Sequence, residues 1–165
     1  MIFKFKRHNT IFYNTLLELS RNIYFYKKIK LKDVFETRIY LIFFHFSIIL
    51  LIYKNKKEHF PQSEYDNLFL NIENNLRELG FGDVAVNKKM KEINKIFYDI
   101  LLKFNTGNEK LKINKALVFK YFTELNDKNV DKYNNFEEYF INFYNFCFEK
   151  DPKIVLKDAL KFNKI

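Results

Sequence analysis

The sequence predicts an all-α protein: a bundle of roughly seven helices in one domain over residues 1–165, with a short basic segment, 1–9, at its start. Three observations carry this prediction. Apolar residues recur at helical spacing through most of the chain. No stretch shows the β-branched alternation with paired turns that strands require. The 165 residues, 48% hydrophobic and 19% aromatic, suffice for a real core and have a globular rather than a disordered composition.

Asn9 or Thr10 can cap a first helix running through Tyr26, with Phe12, Leu16, Leu19, Ile23 and Tyr26 among its apolar positions. Lys27, Lys28, Lys30 and Lys32 form a basic loop, and Asp33 opens the next helix. That helix carries Ile39 to Tyr53, fifteen residues interrupted in polarity only by His45 and Ser47. As helix the run is ~22 Å long, short of the ~30 Å hydrocarbon core of a bilayer. It reads either as a buried central helix or as one lying against a membrane or a client, with Arg38, Lys54, Lys56 and Lys57 flanking it. Lys54 to Pro61 is a connection. Ser63 then caps a helix whose apolar face is Tyr65, Leu68, Phe69, Ile72, Leu76 and Leu79. The following helix runs from about Val84 or Asn87 to Phe104, with Met90, Ile93, Phe97, Ile100 and Leu101 on its stripe. Asn105 to Asn108 is a turn, Leu111 to Leu125 a shorter helix, and Asn126 to Asn135 a polar loop. Phe136, Tyr139, Phe140, Phe143 and Phe146, with Cys147 or Phe148, mark another apolar face. Asp151 caps a last helix to about Phe162, with Pro152 at the first helical position that suits it.

One corner stands out. The chain has three glycines and four arginines, yet Gly80, Gly82 and Arg77 all fall within Leu76 to Asp83. The helix before it ends near Leu79, so Gly80 stands where a C-terminal cap needs positive φ, and Gly82 allows a second sharp change of direction. Asp83 is a candidate N-cap, able to accept from the N–H of Ala85 or Val86 and suited to the positive end of the helix dipole. A link this short makes the two helices neighbours and brings Arg77 and Glu78 close to Asp83. Such a corner needs no function beyond that of a plain turn, and a recognition site is the alternative reading.

The net charge of +9 is unevenly spread: residues 1–60 hold 12 Lys and Arg against 4 Asp and Glu, and the remainder holds 17 against 16. A basic first third suits anionic lipid, RNA or an acidic protein, or solubility alone. With 25 Lys to 4 Arg, and 20 Asn, the composition resembles drift in an AT-rich genome, so the rare residue types carry more information. Cys147 is alone, which excludes a disulfide within the chain and leaves a buried, inert thiol in a reducing compartment as the expectation. Met1 to Arg7 lacks a sustained apolar core and a small-residue cleavage site, so no secretory signal is expected. Phosphate loops, zinc-protease motifs, cysteine pairs and nucleophile elbows are absent, and His8, His45 and His59 lie on separate segments. No catalytic, cofactor-binding or metal-binding residue is expected. His45, in the apolar run, is either a core histidine bonded to a neighbour or a polar anchor on a client-binding face, with Arg38 two turns earlier on the same face.

Two blocks of sequence resemble one family. Leu76-Arg77-Glu78-Leu79-Gly80-Phe81-Gly82-Asp83, followed by Val86, Lys88-Lys89-Met90-Lys91 and Phe97-Tyr98, resembles the signature of the ubiquinol–cytochrome c chaperones, which reads approximately Leu-Arg-Glu-Met-Gly-Val-Gly-Asp with a basic helix ending in Phe-Tyr. Arg21, Phe25-Tyr26, Leu31-x-Asp33, Arg38 and His45 resemble, in the same order, that family's series of Arg, Phe-Tyr, Val-Pro-Asp, Arg and His. Together the blocks run from about Ile11 to Tyr98. Lys32 stands in place of the family's Pro, Glu36 and Thr37 precede Arg38 without the usual Gly, and Asp99-Ile100 replaces Gly-Arg after Phe-Tyr.

The resemblance implies a non-enzymatic assembly factor for the cytochrome bc1 complex that holds newly made cytochrome b or an assembly intermediate of it. It implies a cytoplasmic protein, peripheral at the inner face of the membrane, with a small partner assembly subunit and contact with the ribosome or an anionic membrane surface as further partners. Arg77, Glu78, Gly80, Gly82 and Asp83 are expected to shape one recognition corner, and Arg38, His45, Arg21 and Tyr26 a second group. Three of the four arginines sit in these groups, where forked hydrogen bonding is available that lysine cannot copy. The rival reading is a basic RNA- or DNA-binding helical protein, since Asn87 to Lys91 opens a helix after a tight turn. Asp83 sits where phosphate would be received, so DNA is not expected as a partner.

Overall fold

A computed structural model describes residues 11–107, 110–126 and 128–164. The basic segment 1–9, the cap expected at Asn9 or Thr10, and Asn108 lie outside the described residues. The elements in order are α1 (Ile11–Ser20), α2 (Ile23–Lys27), α3 (Phe35–Asn55), α4 (Gln62–Glu78), α5 (Asp83–Lys103), β1 (Asn105–Gly107), β2 (Lys110–Lys112), α6 (Lys115–Tyr121), α7 (Val130–Phe148), α8 (Pro152–Asp158) and a closing 3-10 helix (Ala159–Lys164). The fold is mostly all-α, as the periodicity requires, with eight α-helices among the described residues.

Helix α3 is the axis of the bundle. Fourteen of its 21 residues are buried, and α1, α5, α7 and α8 pack around it. Its most apolar window has a mean hydropathy of 1.7, enough by length and composition to cross a membrane, but 67% of that window is buried within the fold. The apolar run is therefore a core helix. Phe44 meets Phe104 edge-on at 5.1 Å and Phe122 at 5.2 Å, while Phe46 stacks on Phe97 at 5.4 Å. Phe12, Phe25, Phe43, Phe136, Phe140 and Phe143 are buried with them. The aromatic excess fills the interior, and the aromatic run of α7 presents no open face.

The local differences from the predicted elements have identifiable causes. The first helix breaks after Ser20, because the Asn22 side chain accepts from the Tyr24 N–H at 3.0 Å and starts α2 anew. The apolar spacing runs on across this break, which hides it. Asp33 does not open α3; its carboxylate is taken by Arg38, and Val34 holds the N-cap position without a side-chain bond. Helix α4 begins at Gln62 behind Pro61, ahead of the expected cap at Ser63. Beyond Phe104 the chain forms a short antiparallel ribbon, with Thr106 opposite Leu111, where a turn and helix were expected. Asn114 then caps the much shorter α6 by accepting from Leu117 N–H at 3.1 Å. Asp151 caps α8 as predicted, accepting from Lys153 N–H at 2.9 Å.

Candidate functional site

The corner between α4 and α5 is built by its glycine. Gly80 has φ of +95°, Phe81 N–H donates to Leu76 O at 3.3 Å, and Gly80 N–H donates to Arg77 O at 2.9 Å. This pair of bonds is a Schellman cap, with Phe81 returning toward Leu76. Gly82 is different: its φ of −73° and ψ of 167° are open to any residue, and it occupies the N-cap position of α5. Asp83, expected at that cap, is instead the first helical residue, where its charge still suits the dipole. Arg77 spans the corner, 3.2 Å from Glu73 and 3.5 Å from Asp83. Both pairs are partly exposed, so they orient the guanidinium more than they stabilise the fold, at about 0–1 kcal/mol each. Glu78 is exposed beside it.

The structure brings three members of the second group together and separates the fourth. Arg38 donates to Asp33 from Nε at 2.9 Å and from Nη2 at 2.6 Å. Tyr26 donates its hydroxyl hydrogen to Ser20 O at 2.7 Å. Burial raises the Tyr26 pKa, and the charges of Arg38 and Arg21 oppose that rise. Arg21 itself stands 3.8 Å from Glu18. The two groups share one end of the molecule, joined through α1. Asn75 donates to the Tyr13 hydroxyl at 2.6 Å, and that hydroxyl feels both Arg21 and Glu78. His45 is the correction: it is completely buried and cannot face a client in this structure. Its Nδ1–H donates to Leu41 O at 2.6 Å and its Nε2 accepts from Tyr139 at 2.9 Å. Burial pushes its pKa down to about 3, so the ring is neutral.

Beside the corner lies a feature that the sequence did not disclose. The first turns of α3, the end of α4 and the middle of α5 enclose an open apolar groove of about 230 Å³. Phe35, Ile39 and Tyr40 form one wall, Ile93 and Ile96 the other, and Leu76, Leu79 and Phe81 close the corner end. Leu79 is 60% exposed, Phe81 38% and Val84 86%, so three of the large exposed apolar side chains fall within six residues. Lys89 lies with its ammonium 4.6 Å from the Phe81 ring centroid. The available signal was Phe81 itself, an aromatic between two glycines with no helical face of its own to join.

The remaining reactive groups are occupied or shielded. The Cys147 thiol is buried and burial pushes its pKa up to about 12. Asp99, at the departure from the family pattern, binds Lys103 at 2.7 Å, Lys120 at 2.8 Å and the Tyr121 hydroxyl, which together hold its carboxyl below the usual range. It ties α5 to α6. Among the described residues no group of three or more His, Cys, Asp or Glu is placed to hold a metal ion.

The described residues form a mostly α-helical scaffold with an open apolar groove beside the α4–α5 corner. The comparison with known families is more specific. The chain belongs to the ubiquinol–cytochrome C chaperone family, whose sequence model matches residues 27–118, more than half of the 165 residues. The match includes Arg38, His45 and the whole corner, and begins after Arg21 and Tyr26. No curated protein and no solved structure matches the chain.

Proposed function

We propose that this protein is a non-enzymatic assembly chaperone of the cytochrome bc1 complex, and that it holds newly made cytochrome b, or an intermediate containing it, at the groove between α3 and the α4–α5 corner. One observation carries the reading. Leu76, Leu79, Phe81 and Lys89 of the corner block line the groove together with Phe35, Glu36, Ile39 and Tyr40, which lie within the stretch from Asp33 to His45 that carries the second block. Apolar side chains of a client would leave water against Leu79, Phe81 and Ile96, and Arg77, held at the corner by Glu73 and Asp83, supplies oriented donors beyond the groove. In this reading the protein works in the cytoplasm, peripherally at the inner face of the membrane. A small partner assembly subunit, and contact with the ribosome or anionic lipid, fit the basic first third.

The test is affinity purification of the tagged protein from growing cells in mild detergent, at low and high salt. Cytochrome b retained at high salt is the expected result, because apolar contact does not weaken as salt rises. Nucleic acid alone, lost steeply with salt, would refute the reading in favour of a nucleic-acid binder.

A further inference from the structure

The groove is apolar along its walls and carries two glutamates and one lysine at its edge. Glu36 stands on the α3 side and Glu92 on the α5 side, and both are exposed. Among the described residues neither has a cation within salt-bridge distance. Their acidic neighbours are committed elsewhere: Asp33 to Arg38, and Glu73 and Asp83 to Arg77. The lysine at the groove, Lys89, lies over the Phe81 ring. The size of the groove matters equally. About 230 Å³ admits a few side chains, whereas a membrane span is a helix of about 20 apolar residues. An occupant must therefore present apolar side chains and a positive charge within a short length.

We infer that the groove takes the junction between an apolar stretch and a lysine or arginine of the client. That is the chemistry at the cytoplasmic end of a transmembrane helix, where positive residues gather. The aliphatic side chains of the junction lie against Ile39, Ile93 and Leu79, and its cation reaches Glu36 or Glu92 at the edge. The inference rests on the chaperone reading for the identity of the client and on the groove alone for the chemistry recognised. It makes the protein a reader of helix ends, not a cover for whole spans.

The experiment is fluorescence anisotropy of the full chain with a labelled synthetic peptide of leucine and isoleucine ending in two arginines. Matched peptides end in two glutamines or two glutamates. The arginine peptide is expected to bind tightest and the glutamate peptide weakest. The double variant Glu36→Gln/Glu92→Gln, which spares the core, should lower affinity for the arginine peptide by about three- to tenfold at low salt, as expected for two partly exposed ion pairs, and leave the glutamine peptide unchanged. Leu79→Ser should weaken all three. Equal binding of the three peptides, or no effect of the double variant at unchanged thermal stability, overturns the inference. Cytochrome b co-purification runs beside it. If cytochrome b is retained while the peptides show no preference, the chaperone reading stands and this inference falls. If the preference is found but cytochrome b is not retained, the groove chemistry stands and the client is wrong.

Discussion

The two glycines of the corner should respond in opposite directions to the same substitution. At Gly80, φ of +95° lies outside the range comfortable for a residue with a side chain, yet nothing lies within 4 Å of where a Cβ would stand. The cost of Gly80→Ala is therefore backbone strain of about 1–2 kcal/mol, partly offset by the reduced freedom of the unfolded chain to a net of about 0.5–1.5 kcal/mol, and Gly80→Val should cost more because the branched side chain is stiffer. Gly82 has an ordinary φ of −73° and equally open surroundings. There, alanine reduces the freedom of the unfolded chain and should stabilise by about 0.4–1 kcal/mol. For a domain of this size each kcal/mol moves Tm by about 2–4 °C, so Gly80→Ala should lower Tm by about 1–6 °C and Gly82→Ala raise it by about 1–4 °C. Thermal unfolding of the purified variants by circular dichroism measures both. A loss at Gly82 as large as that at Gly80, or no loss at Gly80, would refute the assignment of the cap. A stable Gly82→Ala variant that nonetheless lowers bc1 complex would tie Gly82 to the client, since the fold does not require it.

Arg77→Lys keeps the charge but loses the fork, and with exposed partners it should change stability by less than about 0.5 kcal/mol while lowering bc1 complex; wild-type levels of the complex would remove Arg77 from the site. His45 has a folded pKa of about 3 against an ordinary value of 6.5, so the unfolded chain binds its proton first and stability falls as pH drops below about 6.5, by up to ~1.4 kcal/mol per pH unit. Urea midpoints between pH 7 and 5 should show this slope in the wild type and a shallower one in His45→Gln; identical slopes would mean that His45 is not held neutral. Lys57 sits at φ of +56° at the end of α3, with the same two cap bonds that Gly80 and Phe81 make, from Lys57 N–H to Lys54 O and from Glu58 N–H to Tyr53 O. Lys57→Gly should raise Tm by about 1–4 °C, the relief of strain exceeding the added freedom of the unfolded chain, and a lower Tm would contradict that balance.

What the sequence disclosed, and what it did not, divides by the range of the forces involved. The helix ending at Gly80 was legible because a cap is local: six residues hold the apolar stripe, the glycine and the bonds it makes. The break at Asn22 was not, because the stripe from Leu16 to Tyr26 continues through it and the competing bond comes from one side chain. The β1–β2 ribbon has three residues a strand, too few for alternation to register, although Leu111 is buried between exposed Lys110 and Lys112. Arg38 and His45 share a spacing that suggested one face. A helix packed by four neighbours has no free face along most of its length, and seven residues carried His45 into the core while Arg38 stayed at the edge. The groove lay furthest from reach. Its walls come from α3, α4 and α5, and each wall residue reads alone as an ordinary helical apolar position.

The distribution of aromatic residues bears on how such a protein could hold a membrane client. The phenylalanines of α3 and α7 are used against one another, as the edge-on contacts of Phe44 with Phe122 and Phe136 and its tilted contact with Phe140 show. Exposing them would mean opening the core around α3, and each large side chain moved from such a core into water costs about 1.5–3 kcal/mol, so a few of them equal the stability of a domain. Binding by opening the bundle is therefore disfavoured. Among the described residues the surface offers without rearrangement the short stretch Leu79 to Val84 with the groove beside it, and scattered apolar side chains such as Ile11, Ile23 and Leu102 elsewhere. A chaperone limited to that contact must act on a few residues of its client at a time, where charge at the groove edge adds selectivity that apolar contact alone lacks.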